Sequence, residues 1–393
     1  MKRIKPIAVA MLLGSACSAA FSDPFVIQPE QQFTLDSATD HAVAVHGTLI
    51  LVGSPGGSVF PATTGVVYTL ANTRGGNCHT ECWVLKGQFQ RPDALPNDQF
   101  GASLAFDGET LVVGSPALVP GSEAAFVYRR KGDHFVAQQT LKGVPLDPTP
   151  GGNSNFGITA VLSGDRLALT ELPEFFSGAA YVFKRHGDGV WRREARLQPA
   201  NVTLERQYGV SVDLDDDTLI VGADVTGYAN IFKRRGDHWS EAQTLIAWDD
   251  QDVNGGGGFG RGVGVRNRQV AVGAYFSTNP AGVADGSVYV FKERNNVWGP
   301  EQKLERSDDD SYVFFGAAVL FRGNRIAAAG ANGIYIFEHQ GPRWVEIAKL
   351  VSPDGFSVVD SLDSMDWQGS TLVAAGDSGV SIFDLSNLDS VRH

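Results

Sequence analysis

Aromatic rings beside carboxylates and amides are the groups in this sequence best suited to recognising another molecule. They occur in three segments that break the apolar pattern: Ser54 to Thr64, Glu171 to Phe176 and Tyr275 to Asn279. An exposed ring offers flat apolar area, and a neighbouring polar group fixes the orientation of a ligand. The residues for which we predict a role in binding a glycan or a protein are Phe60, Glu171, Glu174, Phe175, Phe176, Tyr275, Phe276 and Asn279. The alternative for Phe175 and Phe176 is that they cover the end of the core.

Catalytic motifs are not evident in the sequence, which contains no G-x-S-x-G, HExxH or phosphate-binding loop. Four histidines, His134, His186, His238 and His339, fall at or near equivalent turns of a repeat, which a turn preference explains better than a shared active site. We therefore assign no catalytic residue and favour a protein that is not an enzyme. Paired carboxylates of glycoside hydrolases are assembled in space and leave no fixed spacing, so a polysaccharide lyase or hydrolase stays open as an alternative.

One acidic segment matches the start of a calcium-binding loop. Asp250, Asp252 and Asn254 alternate with other residues and are followed by Gly255. Gly258 and Arg261, however, stand where the later acidic ligands of such a loop are expected. We favour an Asp-rich surface turn and no cofactor, with calcium as the weaker alternative.

Two cysteines, Cys78 and Cys82, lie in the segment GGNCHTECW. In an exported protein this spacing predicts a short-loop disulfide. His79 between them invites a metal-site interpretation, but two thiols and one imidazole fall short of a closed four-ligand zinc site.

The N-terminus is typical of a secretory signal, which we place at residues 1–22. Basic residues at Lys2, Arg3 and Lys5 precede an apolar run from Ile7 to Leu13 and a zone of small residues. Cleavage after Ala20 is favoured, and lipidation of Cys17 is a minor alternative. No apolar run is long enough to span a bilayer. The expected location is therefore periplasmic, cell-surface or secreted.

The charge balance argues against nucleic acid as a partner. The chain has a net charge of -12, which becomes -15 when the three positive charges of the signal are removed. Such an acidic protein is repelled by nucleic acid and by anionic membranes. We expect a monomer that binds a glycan or a protein.

A repeat of about 50 residues positions these segments. Its most compact copy, Tyr208 to Leu245, contains four short apolar runs separated by polar turns, which predicts a four-stranded antiparallel meander. Copies begin near residues 39, 100, 156, 208, 259, 315 and 361. A period near 50 with four strands per copy predicts an all-β, seven-bladed β-propeller that occupies residues 23–393 as a single domain.

Turn and strand-end residues support the same assignment. A tight turn carrying Gly, Asn or Asp joins the first two strands of each copy, as at Asp107-Gly108. Glycine near the end of the second strand, as at Gly53 and Gly273, would allow neighbouring blades to approach closely. Strand ends alternate between two faces, so the long loops after the second and fourth strands share one face.

The last copy lacks a fourth strand, and a matching segment stands at the other end of the chain. Pro29 to Phe33 matches Pro300 to Leu304, which places Ile27 at the position of Trp298. We therefore predict that residues 25–36 complete the seventh blade, which closes the ring without an exposed sheet edge.

Five copies begin with Phe-Gly or Tyr-Gly, and four carry Gly-Ser-Pro, Gly-Ala-Asp or Gly-Ala-Tyr at the end of the second strand. This pairing resembles FG-GAP repeats, which build the seven-bladed propeller of integrin α subunits and of many exported bacterial proteins. The family's calcium motif does not carry over, because a tight turn replaces its loop between the first two strands. Asp213 to Asp217 comes nearest to it and lacks the glycine and the later acid.

Arg235-Gly236-Asp237 matches a tripeptide that integrins bind. Equivalent turns hold Lys131-Gly132-Asp133 and His186-Gly187-Asp188, so turn chemistry explains it better. The resemblance and the loops together predict an exported FG-GAP propeller that binds a glycan or a protein through its long-loop face, without catalysis. The alternatives are the lyase or hydrolase, on the same face, and a structural envelope protein.

Overall fold

The structure is a computed structural model. It describes residues 25–34, 42–56, 64–73, 83–117, 121–144, 154–173, 177–200, 207–249, 256–278, 283–308, 313–352, 364–376 and 379–390. Within these ranges the strands form seven antiparallel meanders arranged as the blades of a propeller. The predicted all-β, seven-bladed fold is confirmed.

Two short strands at the N-terminal end of the described chain belong to the last two blades. These are β1, Phe25–Ile27, and β2, Gln31–Thr34. The strands of blades one to three follow: β3 Val43–His46, β4 Leu49–Ser54, β5 Val66–Asn72, β6 Trp83–Phe89, β7 Ser103–Phe106, β8 Thr110–Ser115, β9 Ala124–Lys131, β10 His134–Leu141, β11 Ala160–Ser163, β12 Arg166–Glu171, β13 Ala179–Arg185 and β14 Trp191–Leu197.

Blades four to seven repeat this pattern, and short helices lie before β19 (Gly256–Gly258, a 3-10 turn) and after β29 (α1, Ser386–Ser390). Their strands are β15 Tyr208–Asp215, β16 Thr218–Ala223, β17 Tyr228–Arg235, β18 His238–Leu245, β19 Phe259–Arg266, β20 Gln269–Ala274, β21 Ser287–Arg294, β22 Val297–Leu304, β23 Ala318–Arg322, β24 Arg325–Gly330, β25 Gly333–Gln340, β26 Arg343–Leu350, β27 Met365–Gln368, β28 Thr371–Gly376 and β29 Gly379–Asp384.

The core lies between blades. The second strand of a blade sits between the first and third, and β4, β8, β12 and β16 are buried at every residue. Apolar side chains from adjacent blades meet face to face; Ile231 of blade four, for example, packs in one cluster with Phe259 and Val272 of blade five. Burial of both sheet faces explains why these strands are nearly continuous apolar runs.

The N-terminal strand closes the ring as predicted. β2 pairs antiparallel with β29, and Gln31 lies opposite Ile382. The predicted position of Ile27 on blade seven is wrong, because β1 pairs in parallel with β26 and sets Ile27 opposite Leu350 of blade six. Pro29, which has no amide hydrogen to donate, lies between the two strands and interrupts the ladder. The first described residues therefore tie blade six to blade seven.

Glutamines on the fourth strands join neighbouring blades. The Gln139 side chain donates to the carbonyl of Trp191 and accepts from its amide, at 2.8 and 2.9 Å. The same pair of bonds, at 2.7–2.9 Å, links Gln31 to Trp83, Gln243 to Trp298 and Gln302 to Trp344. The match of Gln31 to Gln302 thus extends to the bonds that the two side chains make.

Candidate functional site

The structure describes three of the eight residues that the sequence singled out for ligand binding. Tyr275 and Phe276 are adjacent at the end of β20, and Glu171 ends β12 on a different blade. Phe60, Glu174, Phe175, Phe176 and Asn279 lie outside the described residues, as do Asp250, Asp252, Asn254, Cys78, Cys82 and residues 1–22. Their roles stay predictions.

Tyr275 and Phe276 form an aromatic cluster with Phe314, which we call the blade-five cluster. The rings of Tyr275 and Phe276 overlap with centroids 4.0 Å apart. Phe314, which enters from the loop before blade six, stands at 84° to the Phe276 ring with a centroid distance of 5.4 Å. Phe276 remains 45% exposed, so the cluster presents an open aromatic surface on the long-loop face.

A tight turn after β20 holds these rings in place. The amide of Phe276 donates to the carbonyl of Gly257 at 2.7 Å, and that of Ser277 donates to Ala274 at 2.9 Å. Gly258 lies beneath the Tyr275 ring, where a β-carbon would be 2.5 Å from a ring atom. The residue directly before the Phe259-Gly260 motif must therefore be glycine for the Tyr275 ring to fit.

A charged pair stands beside the cluster at the mouth of the central channel. The Arg261 guanidinium lies 5.5 Å from the Tyr275 ring centroid and 3.4 Å from the Asp224 carboxylate. Asp224 is only 4% exposed, and burial raises its pKa against the opposing effect of Arg261. Burial and the Asp224 charge raise the pKa of Tyr275, again opposed by Arg261. The arrangement sets polar groups directly next to an aromatic surface.

A second exposed ring on blade five was missed in the sequence. Trp248 is 38% exposed and packs edge-to-face on Tyr289 and Phe291, with centroids 4.8 and 5.1 Å away. The neighbouring Asp249 pairs with Lys303 at 3.0 Å. The sequence did contain a signal for this ring. Trp239 occupies the aromatic position that recurs in the repeat, whereas Trp248 is an additional tryptophan beyond the Leu245 that ends the copy. The ring follows a fourth strand and so lies on the long-loop face.

Glu171 is placed apart from the cluster and is fully buried. The Tyr181 hydroxyl donates to its carboxylate, and Arg196 donates to the Tyr181 oxygen at 3.0 Å. Burial raises the pKa of Glu171, against the lowering effects of Tyr181 and Arg196. In this structure Glu171 is an interior acid of blade three rather than an exposed contact.

The central channel is lined by the first strand of every blade and encloses a cavity of about 140 Å³. Most of the lining residues are apolar, but the surface that faces the cavity is mainly polar, and it includes two carboxylates, Asp213 and Asp366, and two guanidinium groups, Arg261 and Arg322. Asp213 accepts from the amide of Val265 at 2.8 Å, and Asp366 accepts from the amide of Val45 at 2.9 Å. Each carboxylate therefore bridges to the next blade. Burial raises the pKa of Asp213, opposed by Arg322.

Over the described part of the chain, no group of three or more His, Cys, Asp and Glu side chains is placed to hold a metal ion. No helix among the same residues is long and apolar enough to cross a membrane.

The turn at Arg235 to Asp237 is exposed, and Gly236 has a φ of 63°, close to the 62° of the equivalent Gly132.

Two segments of the chain, residues 83–128 and 239–291, match the model of the FG-GAP repeat family. Each matched segment runs from the fourth strand of one blade to the third strand of the next. The family's repeat is thus offset from the blade and contains the contact between two blades. No curated protein matches the chain.

Solved structures with similar folds include two from Bacteroides that are named as candidate 6-phosphogluconolactonases. The B. uniformis protein is 15% identical with a TM-score of 0.56, covering 88% of this chain and 92% of its own. The B. fragilis protein is 12% identical with a TM-score of 0.52, covering 81% and 85%. A Lactobacillus plantarum protein is 13% identical with a TM-score of 0.54, covering 85% and 99%. At these identities the likeness concerns the fold alone.

Proposed function

We propose that this chain, an FG-GAP repeat protein folded as a seven-bladed β-propeller, is a non-catalytic module that binds glycans through its long-loop face. The blade-five cluster, built from Tyr275, Phe276 and Phe314, is the observation that carries the proposal. It combines an exposed aromatic surface with a charged pair at its side, and a rigid scaffold holds both.

The chemistry of the cluster suits a sugar ring. A pyranose has an apolar face of C–H groups that packs on an aromatic ring, and its hydroxyls need polar partners at the edge. Phe276 supplies the exposed ring, and the guanidinium of Arg261, which the buried Asp224 holds in place, adds a charged donor nearby. The half-exposed Trp248 on the same face offers a second contact for a longer glycan.

A protein ligand is the alternative that the sequence left open, and the size of the aromatic surface argues against it. A stable protein interface covers roughly 800 Å² on each partner. The exposed apolar side chains in the described part of the long-loop face are scattered instead: Phe276, the near neighbours Ile246 and Trp248, Val225 and Leu95. Separated rings such as Phe276 and Trp248 fit successive sugar units better than one continuous interface.

The non-catalytic part of the proposal rests on the environments of the channel carboxylates. Asp213 and Asp366 each accept a hydrogen bond from the next blade and so stabilise the ring. Both carboxylates also line the central cavity, within reach of a small molecule bound there, so a measurement of turnover is what separates a structural role from that of a general base. The names of the Bacteroides proteins and the lyase or hydrolase alternative both call for a direct test of turnover.

Two further parts of the proposal concern where the protein works and in what state. We propose export, supported by the basic and apolar pattern of residues 1–22, and a monomeric protein that needs no cofactor. Calcium at Asp250, Asp252 and Asn254 is the weaker alternative, and the binding screen is therefore run with and without it.

The experiment is a glycan-array screen of the purified protein, followed by analysis of each mixture for cleaved, unsaturated or lactone-derived products. The matched variants are Phe276→Ala and Val297→Ala, because Val297 is equally apolar and 60% exposed but lies on the opposite face. Binding that is lost in Phe276→Ala, kept in Val297→Ala and free of products supports the proposal. Products would make the protein an enzyme. Absence of both binding and turnover would favour a protein partner or a structural role.

A further inference from the structure

Phe314 has a backbone conformation that a phenylalanine rarely adopts. It lies directly before the Phe-Gly motif of blade six with a φ of 55°, in the left-handed region. That region disfavours side chains with a β-carbon, and bulky aromatic residues most of all. The four equivalent positions share the conformation, with φ values of 49–75°, and are occupied by Gln99, Asn155, Gln207 and Gly258. Only blade six among these five places an aromatic side chain there.

The fold itself does not require the aromatic ring. The carbonyl of Phe314 accepts from the amide of Ala317 at 3.2 Å, which closes the turn before the first strand. The same bond forms at Gln99 and Gln207, at 3.1 and 3.2 Å. The turn is therefore made equally well by a polar residue that tolerates solvent. Strained residues of this kind persist where the side chain has a use that offsets the backbone cost.

The position of the ring indicates that use. Phe314 meets Phe276 at 84°, whereas Tyr275 and Phe276 overlap at 36°. The Phe276 and Phe314 rings stand at nearly a right angle and form the two sides of a corner, which two stacked rings would not form. A corner of this shape contacts one face and one edge of a six-membered ring, which increases the apolar area buried by a single sugar.

We propose that Phe314 is a ligand-contact residue that receives one pyranose ring in the corner between itself and Phe276. This inference deepens the proposed function and rests on it. It assigns to the left-handed position of blade six a role in binding that the same position lacks in blades two to five.

The test uses saturation-transfer NMR with the methyl β-pyranosides of glucose, galactose and N-acetylglucosamine, together with affinity for glycans that bind in the array. The variants are Phe314→Gly and Phe314→Ala, and the matched control is Gln207→Gly, an exposed residue at the equivalent position of blade four. Both Phe314 variants should weaken binding about tenfold, because the second wall of the corner is gone. Gln207→Gly should bind as the unchanged protein does.

Thermal melting supplies a readout that is independent of the ligand. Phe314→Gly should melt at a higher temperature than Phe314→Ala, because glycine accepts a positive φ and alanine does not. At most positions glycine is the less stable of the two. A higher melting temperature for Phe314→Ala would show that the backbone at this position is not strained. If Phe276→Ala loses binding while Phe314→Gly keeps it, the assignment of Phe314 is wrong and the glycan proposal stands. If the unchanged protein binds no glycan, both fail.

Discussion

The α-carbon of Gly273, in β20, lies against the carbonyl oxygen of Gly316, which begins blade six. A β-carbon at Gly273 would be 1.9 Å from that oxygen. The same relation, at 1.9–2.0 Å, joins Gly53 to Gly101, Gly114 to Gly157 and Gly222 to Gly260. The two glycines of the FG-GAP pattern therefore belong to successive blades and meet at their interface. Glycine is needed because the opposing atom is backbone and cannot rotate away.

Replacing Gly273 by alanine should destabilise the protein by about 3 kcal/mol, because one of the two blades must shift to admit the methyl group. The control is Gly299→Ala in the same blade, where a β-carbon would meet nothing within 4 Å. Chemical denaturation measures both variants. Equal free energies of unfolding for the two variants would show that the interface tolerates the methyl group.

Gln139→Ala should lower the free energy of unfolding by about 1–3 kcal/mol, because the amide and the carbonyl of Trp191 each lose a hydrogen-bond partner. Its neighbour in the chain, Gln138, is exposed and donates only to carbonyls of its own strand. Gln138→Ala should therefore be within about 0.5 kcal/mol of the unchanged protein. A similar loss in the two variants would mean that the bonds between blades contribute little to stability.

Glu171→Gln and Asp308→Asn should change the melting temperature in opposite directions at pH 8, and both changes should shrink as the pH falls. The folded protein raises the pKa of Glu171 through burial, so it binds a proton there more readily than the unfolded chain. The stability from this group is fully present below the unfolded pKa and is lost as the pH rises. Glu171→Gln removes the penalty on the charged form. The variant should melt above the unchanged protein at pH 8, and this advantage should disappear toward pH 4.

Asp308 lies in the loop before blade six, beside Lys349 at 2.5 Å and 2.7 Å from Tyr335, which is the blade-six counterpart of Tyr181. Burial would raise its pKa, but the bonds from Lys349, Tyr335 and Arg306 together lower it. Its contribution is present above the unfolded pKa and is lost as the pH falls. Asp308→Asn should therefore melt below the unchanged protein at pH 8, with a deficit that shrinks toward pH 3. Parallel melting profiles for the two variants would contradict the opposite signs.

Deleting residues 23–36 should sharply lower the melting midpoint. The deletion removes β2, the outer strand of blade seven, together with the Gln31 bonds to Trp83 of blade one. It also removes β1 from blade six. Differential scanning calorimetry measures the effect, and Gln31→Ala separates the side-chain bonds from the strand itself. An unchanged midpoint in the deletion variant would refute the closure.

The repeat made the fold predictable, because each copy contains a tight first turn and a largely buried second strand, and paired glycines recur at four of the contacts between blades. The closure was also visible, since Gln31 and Gln302 match in sequence and make the same bonds. The pairing of β1 with blade six was not visible. A three-residue strand next to Pro29 has too little pattern to indicate its neighbour.

The candidate site was predictable only in part. Tyr275 and Phe276 stood out because a loop interrupts the repeat at that point. Glu171 was expected at the surface, yet it is the last residue of a strand that is buried throughout. Phe314 has an ordinary sequence context, and only its backbone angle and ring contacts distinguish it. Properties of this kind depend on how two blades meet, which a single copy of the repeat does not specify.

The most direct test of the account is calorimetric titration of the strongest array glycan into the unchanged protein, Phe276→Ala and Val297→Ala. Loss of the exposed ring should weaken the affinity of Phe276→Ala by about tenfold or more, while Val297→Ala keeps the original dissociation constant. Equal affinities in all three proteins would remove the blade-five cluster as the binding site. Absence of measurable binding to the unchanged protein would contradict the glycan-binding function itself.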